Sequence, residues 1–441
     1  MVAQRSEPAR EVPRPPPFPR RAGALVAGYA VSSYGNYLNL IALSLFTYEV
    51  TGSGLGLGLL MALRLFAGFL AGLAAGALAA RVGRRRLMLI ADVCQAAAMV
   101  VLALCVRSAS EGLLVAVVIV LGAGNTFFTV ALRSAVPVMV GSGARVRANG
   151  RLATARSLAT VAGFASAAPV IGLAGHGAAF AVNAASFLVS AAVIFFLRLP
   201  TDEDPTDEDP TDKYEADKHR TDEATSLPQG SVQPNHVAVR RIWTAVPALL
   251  LGLILLRGVD ALASSSHNVA LPVVAALRAP QNPAAFMTQF WASWAVGTLV
   301  AHQLLKGRQA SRMEGRWGVR ALAGGTCAMS LCFVLAFTGI ETPLLLMAIV
   351  CLAGIADGFT EIVYTSRLQA APDRERSRLF GLSATAETCG FALGMVTAAA
   401  ALDRWTALTV VGVFHGLAFC GAAVLLLISL NGRRKAGRKP A

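Results

Sequence analysis

Twelve stretches of about 20 or more predominantly apolar residues run through this chain, near 23–49, 54–80, 87–106, 113–138, 152–174, 177–198, 246–276, 285–305, 320–339, 343–366, 380–402 and 406–430. At about 1.5 Å per residue, a helix of ~20 residues crosses the ~30 Å hydrocarbon core of a bilayer. Inside lipid every backbone donor and acceptor must be satisfied within the segment, which selects helix. The runs predict an all-α membrane protein of twelve transmembrane helices in contact with the lipid bilayer. Composition agrees, because soluble domains seldom combine 55% apolar with 15% charged residues over 441 positions.

The runs fall as six, a gap, then six, which divides the chain into a disordered tail (1–21), an N-terminal six-helix bundle (22–199), a linker (200–241), a C-terminal bundle (242–430) and a basic tail (431–441). The linker repeats TDEDP in tandem and holds eleven of the 25 acidic residues with almost nothing to bury, so it reads as a disordered tether; a docking or regulatory segment is the alternative. Of the 39 Lys and Arg residues, 32 lie in the tails and alternate loops on one side, whereas Arg107, Arg278 and Arg404 lie on the other. The positive-inside rule makes both termini cytoplasmic in a multi-pass protein of the cell membrane. The net charge of +14 thus reads as a set of topology determinants rather than a nucleic-acid surface.

No cleavable signal peptide is expected, since a Pro/Arg tail leads directly into a span too long for an h-region. The seven cysteines sit in apolar runs without CxxC spacing and are expected to hold no metal. Without GxxxxGK[ST], HExxH or GxSxG the chain is not expected to be an enzyme or to carry a cofactor. A monomer is expected.

The two halves repeat weakly. Ala42-Leu43 matches Ala270-Leu271, and Ala153-Thr154-Ala155-Arg156 matches Ala384-Thr385-Ala386-Glu387. With the six-plus-six spacing, this favours duplicated, pseudo-symmetric halves with a site at the midplane between them.

Ionisable groups deep in a bilayer are costly, so each is a functional candidate. Asp260 lies near the middle of span 7 with Arg257 one turn earlier. In span 10, Asp357, Glu361 and Tyr364 follow i, i+4, i+7 and share a face. Asp260, Arg257, Asp357 and Glu361 are candidates for proton coupling or substrate contact. Against this, Asp260 could simply neutralise Arg257, and Glu361 could snorkel to the surface. Arg133 and Arg156 lie near span ends, where snorkelling or phosphate contact is ordinary; Arg64 is near the middle of span 2, with no partner assignable.

Between spans 2 and 3, the stretch Gly76 to Arg86 combines a small-residue helix end, a turn and a basic cluster: Gly76, Arg81, Gly83, Arg84 and Arg85 form a candidate gating loop. Its arginines suit helix C-terminal carbonyls and anionic lipid. This loop resembles the GxxxDRxGRR signature of the major facilitator superfamily. Tyr48 to Ser53, Arg147-Ala148-Asn149, Asn183 to Phe187 and Leu368 to Pro372 are similar to the branch containing siderophore and macrolide exporters. The resemblance covers about residues 22–430. Two departures stand out: Ala80 occupies the signature's Asp position, and Gly163 to Pro169 lacks the antiporter-type GPxxGG. An arginine typical of span 4 in proton-linked drug exporters would fall near Val118.

The resemblance implies that spans 1, 4, 7 and 10 line a central cavity. It would bring Asp260 and the Asp357/Glu361 face to one path, with Tyr34, Asn36, Tyr37, Asn39, Phe127, Phe128, His267 and Tyr364 as further lining. Such a mixture suits a bulky, partly apolar organic ligand. The expected function is proton-coupled efflux of a hydrophobic or amphipathic small molecule by alternating access. The alternatives are an importer or facilitator of the same fold, and a non-transporting receptor or scaffold.

Overall fold

The computed structural model describes residues 19–140, 145–197, 248–305, 316–369 and 373–436; the expected linker, nearly all of the N-terminal tail and the last five residues lie outside them. Among the described residues the regular structure is helical apart from turns. The helices are α1 (Arg20–Thr51), α2 (Gly54–Val82), α3 (Arg84–Leu104), α4 (Glu111–Val140), α5 (Arg145–Phe196), α6 (Ala248–Arg278), α7 (Pro283–Leu305), α8 (Arg316–Ala336), α9 (Pro343–Gln369), α10 (Asp373–Leu402) and α11 (Ala407–Ala436), with a short 3₁₀ turn at Val106–Ser108. Helix α1 starts inside the segment expected as a tail, and α11 runs on into the other.

Among the described residues eleven continuous helices stand where twelve were expected, because residues 145–196 form one element. At about 1.5 Å per residue its 52 residues would extend ~78 Å, far beyond one bilayer crossing. Gly175 breaks it, with φ 76° and ψ 179°, a backbone conformation open to glycine and costly for a side-chain-bearing residue. The chain reverses there into two arms. The stop-and-start between α1 and α2 has an equally local cause. Gly52 closes α1 in the left-handed region, its N–H donating to the Tyr48 carbonyl, and the Ser53 side chain caps α2 by accepting from the Gly56 N–H at 2.9 Å.

Among the described residues eight helices, including the double-length α5, contain an apolar window long enough to cross a membrane. Helices α1, α6 and α7, 32, 31 and 23 residues long, are also long enough to cross and carry polar residues along their length. Their polar residues turn inward: Ser32, Ser33, Asn39, Asp260, Ser265, Ser266, His267 and Ser293 are all buried. The outer surface is the reverse, with Leu104 82% and Leu173 88% exposed. This inside-out arrangement is that of an integral, multi-pass membrane protein.

Each half is built on the same backbone contacts. A Cβ at Gly122 of α4 would strike the Arg64 carbonyl of α2, and one at Gly354 of α9 would strike the Trp294 carbonyl of α7. Likewise Gly163 of α5 sits against the Tyr34 carbonyl of α1, and Gly394 of α10 against the Leu262 carbonyl of α6. Positions 34 and 262 differ by the same offset as the Ala-Leu repeat, and 163 and 394 by that of the Ala-Thr-Ala repeat. Small residues at these crossings let the helices approach to backbone contact.

The halves meet at one end. Gly54 and Gly58 of α2 pack on Leu402 and Ala399 of α10, while the Ala168 N–H of α5 donates to Thr288 Oγ1 of α7 at 3.0 Å. One apolar core runs across this junction, uniting Leu38, Ile41 and Phe164 with Leu271, Phe290 and Trp291.

Candidate functional site

Beyond that sealed end, toward the end carrying the described termini, two adjoining cavities of about 490 and 550 Å³ open between the halves. They share Tyr29, Tyr37, Thr129, Arg133 and Arg156. The deeper one reaches Asn36, Arg64, Gln95, Asn125 and Phe128 on one side and Asn268, Phe391 and Met395 on the other. The shallower one is bounded by Trp294, Thr298, His302 and Glu361 of the C-terminal half.

The walls differ in sign. Arg64, Arg133 and Arg156 all come from the N-terminal half, and Glu361 faces them from the other. Arg156 donates from Nε to the Tyr37 hydroxyl at 2.9 Å and is near enough to Glu361 for their charges to interact. Arg64 and Arg133 have no hydrogen bond or ion pair among the described residues.

Of the eight side chains expected to line the cavity, Asn36, Tyr37 and Phe128 do so. The other five are turned elsewhere. Tyr34 receives a hydrogen bond from Ser166 of α5 at 3.0 Å, and Asn39 is fully buried with neither amide atom bonded. Phe127 packs in the α1–α3–α4 core, and Tyr364 donates to Ser383 of α10 at 2.7 Å. His267 pairs with His415 of α11, nitrogen to nitrogen at 3.1 Å, and stacks on Phe333 at 4.0 Å. Tyr34, Phe127, Tyr364 and His267 each lie on a helix that also faces a neighbour within its own half, and that neighbour has taken the side chain.

The expected carboxylates divide between cavity and protein interior. Glu361 faces the cavity, whereas Asp357 accepts from Trp294 Nε1 at 3.2 Å. Asp260 and Arg257 do not line the cavity; they form an ion pair at 3.0 Å. Arg257 also reaches Glu387 through Nε at 3.8 Å and lies over the Tyr364 ring at 5.8 Å from its centroid. Ser383 continues the chain by donating to Glu387 at 2.8 Å. One guanidinium thus holds two carboxylates on α6 and α10, within electrostatic range of Asp357 and Glu361.

The expected gating loop is resolved in part. Gly83 turns the chain at φ 86° and Arg84 opens α3, while Arg81 is exposed; the surroundings of Gly76 lie outside the described side chains. Arg85 donates to the Ile194 carbonyl at 3.2 Å and the Phe195 carbonyl at 2.5 Å, capping the unsatisfied C-terminal turn of α5.

Sequence reasoning passed over Asp92. It is fully buried on α3 beside Ser190, with neither carboxylate oxygen hydrogen-bonded. Its only sequence signal is a single acid in an Ala/Val-rich span. His415 was equally unmarked. Between the two walls runs a ladder of rings: Tyr37 to Phe164 at 5.3 Å, Phe164 to Trp291 at 5.6 Å and Trp291 to Trp294 at 5.7 Å between centroids.

The sequence profile described as Major Facilitator Superfamily matches residues 25–369. No curated relative matches the chain. Among solved structures, the POT family transporter PepTSo superposes with a TM-score of 0.68 at 13% identity, covering 96% of this chain and 100% of that one. A mutant peptide transporter POT in complex with sulfate gives 0.67 at 15% identity, and the same mutant with alafosfalin 0.66 at 15%, each covering 94% of this chain and 95% of theirs. At these identities the likeness is one of fold.

Proposed function

The chain belongs to the Major Facilitator Superfamily, and from that premise we propose that it is a secondary transporter whose two six-helix bundles alternate access to the cavity between them. Counting the two arms of α5 separately gives twelve crossings. The observation that carries the reading is the cavity: it lies between halves built on matching contacts, sealed by α2 against α10 and α5 against α7 and open at the opposite end. By the positive-inside rule the open end is cytoplasmic, which makes this an inward-facing state of a cell-membrane protein with both termini inside.

The substrate is a small amphipathic organic molecule, held by rings and a few polar groups in a space of ordinary ligand size. Protons supply the coupling, through Asp260, Arg257, Asp357 and Glu361. Because Asp260 and Glu387 share Arg257, a proton taken up by one carboxylate hands the guanidinium to the other, which ties α6 to α10 differently. Outward transport follows from the resemblance to siderophore and macrolide exporters. Inward transport by the same machinery is the second reading, since a cavity open at one end with carboxylates beside it serves either direction.

Proteoliposomes holding the full chain test this. An imposed proton gradient should drive flux of a fluorescent amphipathic dye, and Asp357→Asn should uncouple that flux from the gradient. Flux indifferent to the gradient in the unaltered protein would make it a facilitator. Deleting residues 200–241 should leave flux intact; a scaffold would instead lose its role with that segment.

A further inference from the structure

We propose that the cavity recognises an anionic group, so that the transported molecule is an organic acid: an apolar or aromatic body bearing a carboxylate or a phosphate. The inference rests on the transport reading and names its substrate class.

Three guanidinium groups and one carboxylate, Glu361, line the adjoining cavities, so the described ionised side chains leave a positive excess there. Arg156 gives its Nε to Tyr37, whereas Arg64 and Arg133 meet no acceptor among the described residues. An unpaired cation at membrane depth is disfavoured unless it serves a water-filled path or a ligand. Snorkelling does not account for Arg64. It stands 18 residues, about 27 Å along the helix, from the open end of α2, beyond the reach of an extended side chain. Its position is fixed from behind by the contact of Gly122 with its own carbonyl. Guanidinium presents paired N–H donors matched to carboxylate and phosphate oxygens, and in a confined cavity such charge-assisted bonds are stronger than in water. Beside the arginines, Tyr29 and Phe128 lie stacked 6.5 Å apart and supply the apolar wall that a simple inorganic anion would not need.

The phosphate of a lipid headgroup offers the same chemistry as a free organic acid, so the test separates them. Fluorescence titration of the purified full-length protein in neutral detergent would use dansylglycine, its uncharged amide and cationic dansylcadaverine. Dansylglycine should bind at least about tenfold tighter than either analogue, as a charge-assisted pair requires. Arg64→Met and Arg156→Met should each cut that preference below about threefold while leaving the amide's affinity within about twofold, which also reports an intact fold. Arg64→Lys should keep part of the preference.

Equal affinity for acid and amide, no binding of the acid, or a preference untouched by both methionine variants would overturn the proposal. Dihexanoyl-phosphatidylglycerol displacing dansylglycine far better than dihexanoyl-phosphatidylcholine would assign the site to headgroups; displacement by neither would leave the free acid as its ligand. Binding that survives while proteoliposomes show no gradient-driven dansylglycine flux would sink the transport reading and spare the anion site.

Discussion

The two halves of this protein share a scaffold and differ in charge. The N-terminal half packs through Gly122 on Arg64 and Gly163 on Tyr34; the C-terminal half repeats both contacts through Gly354 on Trp294 and Gly394 on Leu262. Yet Arg64 stands where the other half has Trp294, and Arg156 where it has Glu387. The first half turns Arg64 and Arg133, which meet no acceptor among the described residues, to the cavity, while the second ties Arg257 between Asp260 and Glu387 inside its own bundle. Contacts made by backbone hold the shape and leave the side chains at equivalent positions free to take opposite roles.

The largest effect should come from breaking the network of the second half. Asp260→Leu leaves Arg257 with only its longer contact to Glu387 and should lower unfolding stability by about 2–4 kcal/mol, whereas the double variant Arg257→Met/Asp260→Leu should recover most of it. Thermal unfolding in detergent checks this; a double variant as unstable as the single one would mean that the network does more than balance charge.

The shared scaffold makes a paired prediction of intermediate size. Gly122→Leu and Gly354→Leu each drive a side chain into a facing carbonyl and should cost about 1–3 kcal/mol, similarly in both halves. A large difference between them would break the equivalence. Tyr34→Phe should cost about 1 kcal/mol, one hydrogen bond to Ser166, in the same unfolding measurement. Smallest of all, Arg64→Met should change stability by less than about 0.5 kcal/mol or raise it, since no described partner is stranded. A loss as large as that of Asp260→Leu would reveal an acceptor for Arg64 and dissolve the contrast between the halves.

Much of the fold was legible because bilayer thickness sets run length, and that signal does not depend on packing. The junction at Gly175 was legible as a gap between two runs, though not as a reversal in a single glycine. Residues sharing a face of one helix were also readable: the Asp357/Glu361 spacing and the Arg257–Asp260 pair follow from helical geometry alone. What a helical wheel omits is which neighbour each face meets. Hence Tyr34, Phe127, His267 and Tyr364, expected at the cavity, are held within their own halves, and Asn39 is buried away from it. The cationic wall escaped for the complementary reason: Arg64, Arg133 and Arg156 lie on three helices, and no spacing in sequence records their convergence. Asp92 and His415 carried no pattern, because each is a single polar residue in an apolar run.

The ring ladder has an optical consequence. Trp291 and Trp294 lie where the halves touch, Trp291 against Phe164 of the other half and Trp294 bonded to Asp357 at the cavity edge. Any motion that unseals that junction must part Trp291 from Phe164 and change the solvation of both indoles. With Trp405 at the outer surface as an internal reference, the protein carries its own fluorescent gauge of which side of the membrane its cavity faces.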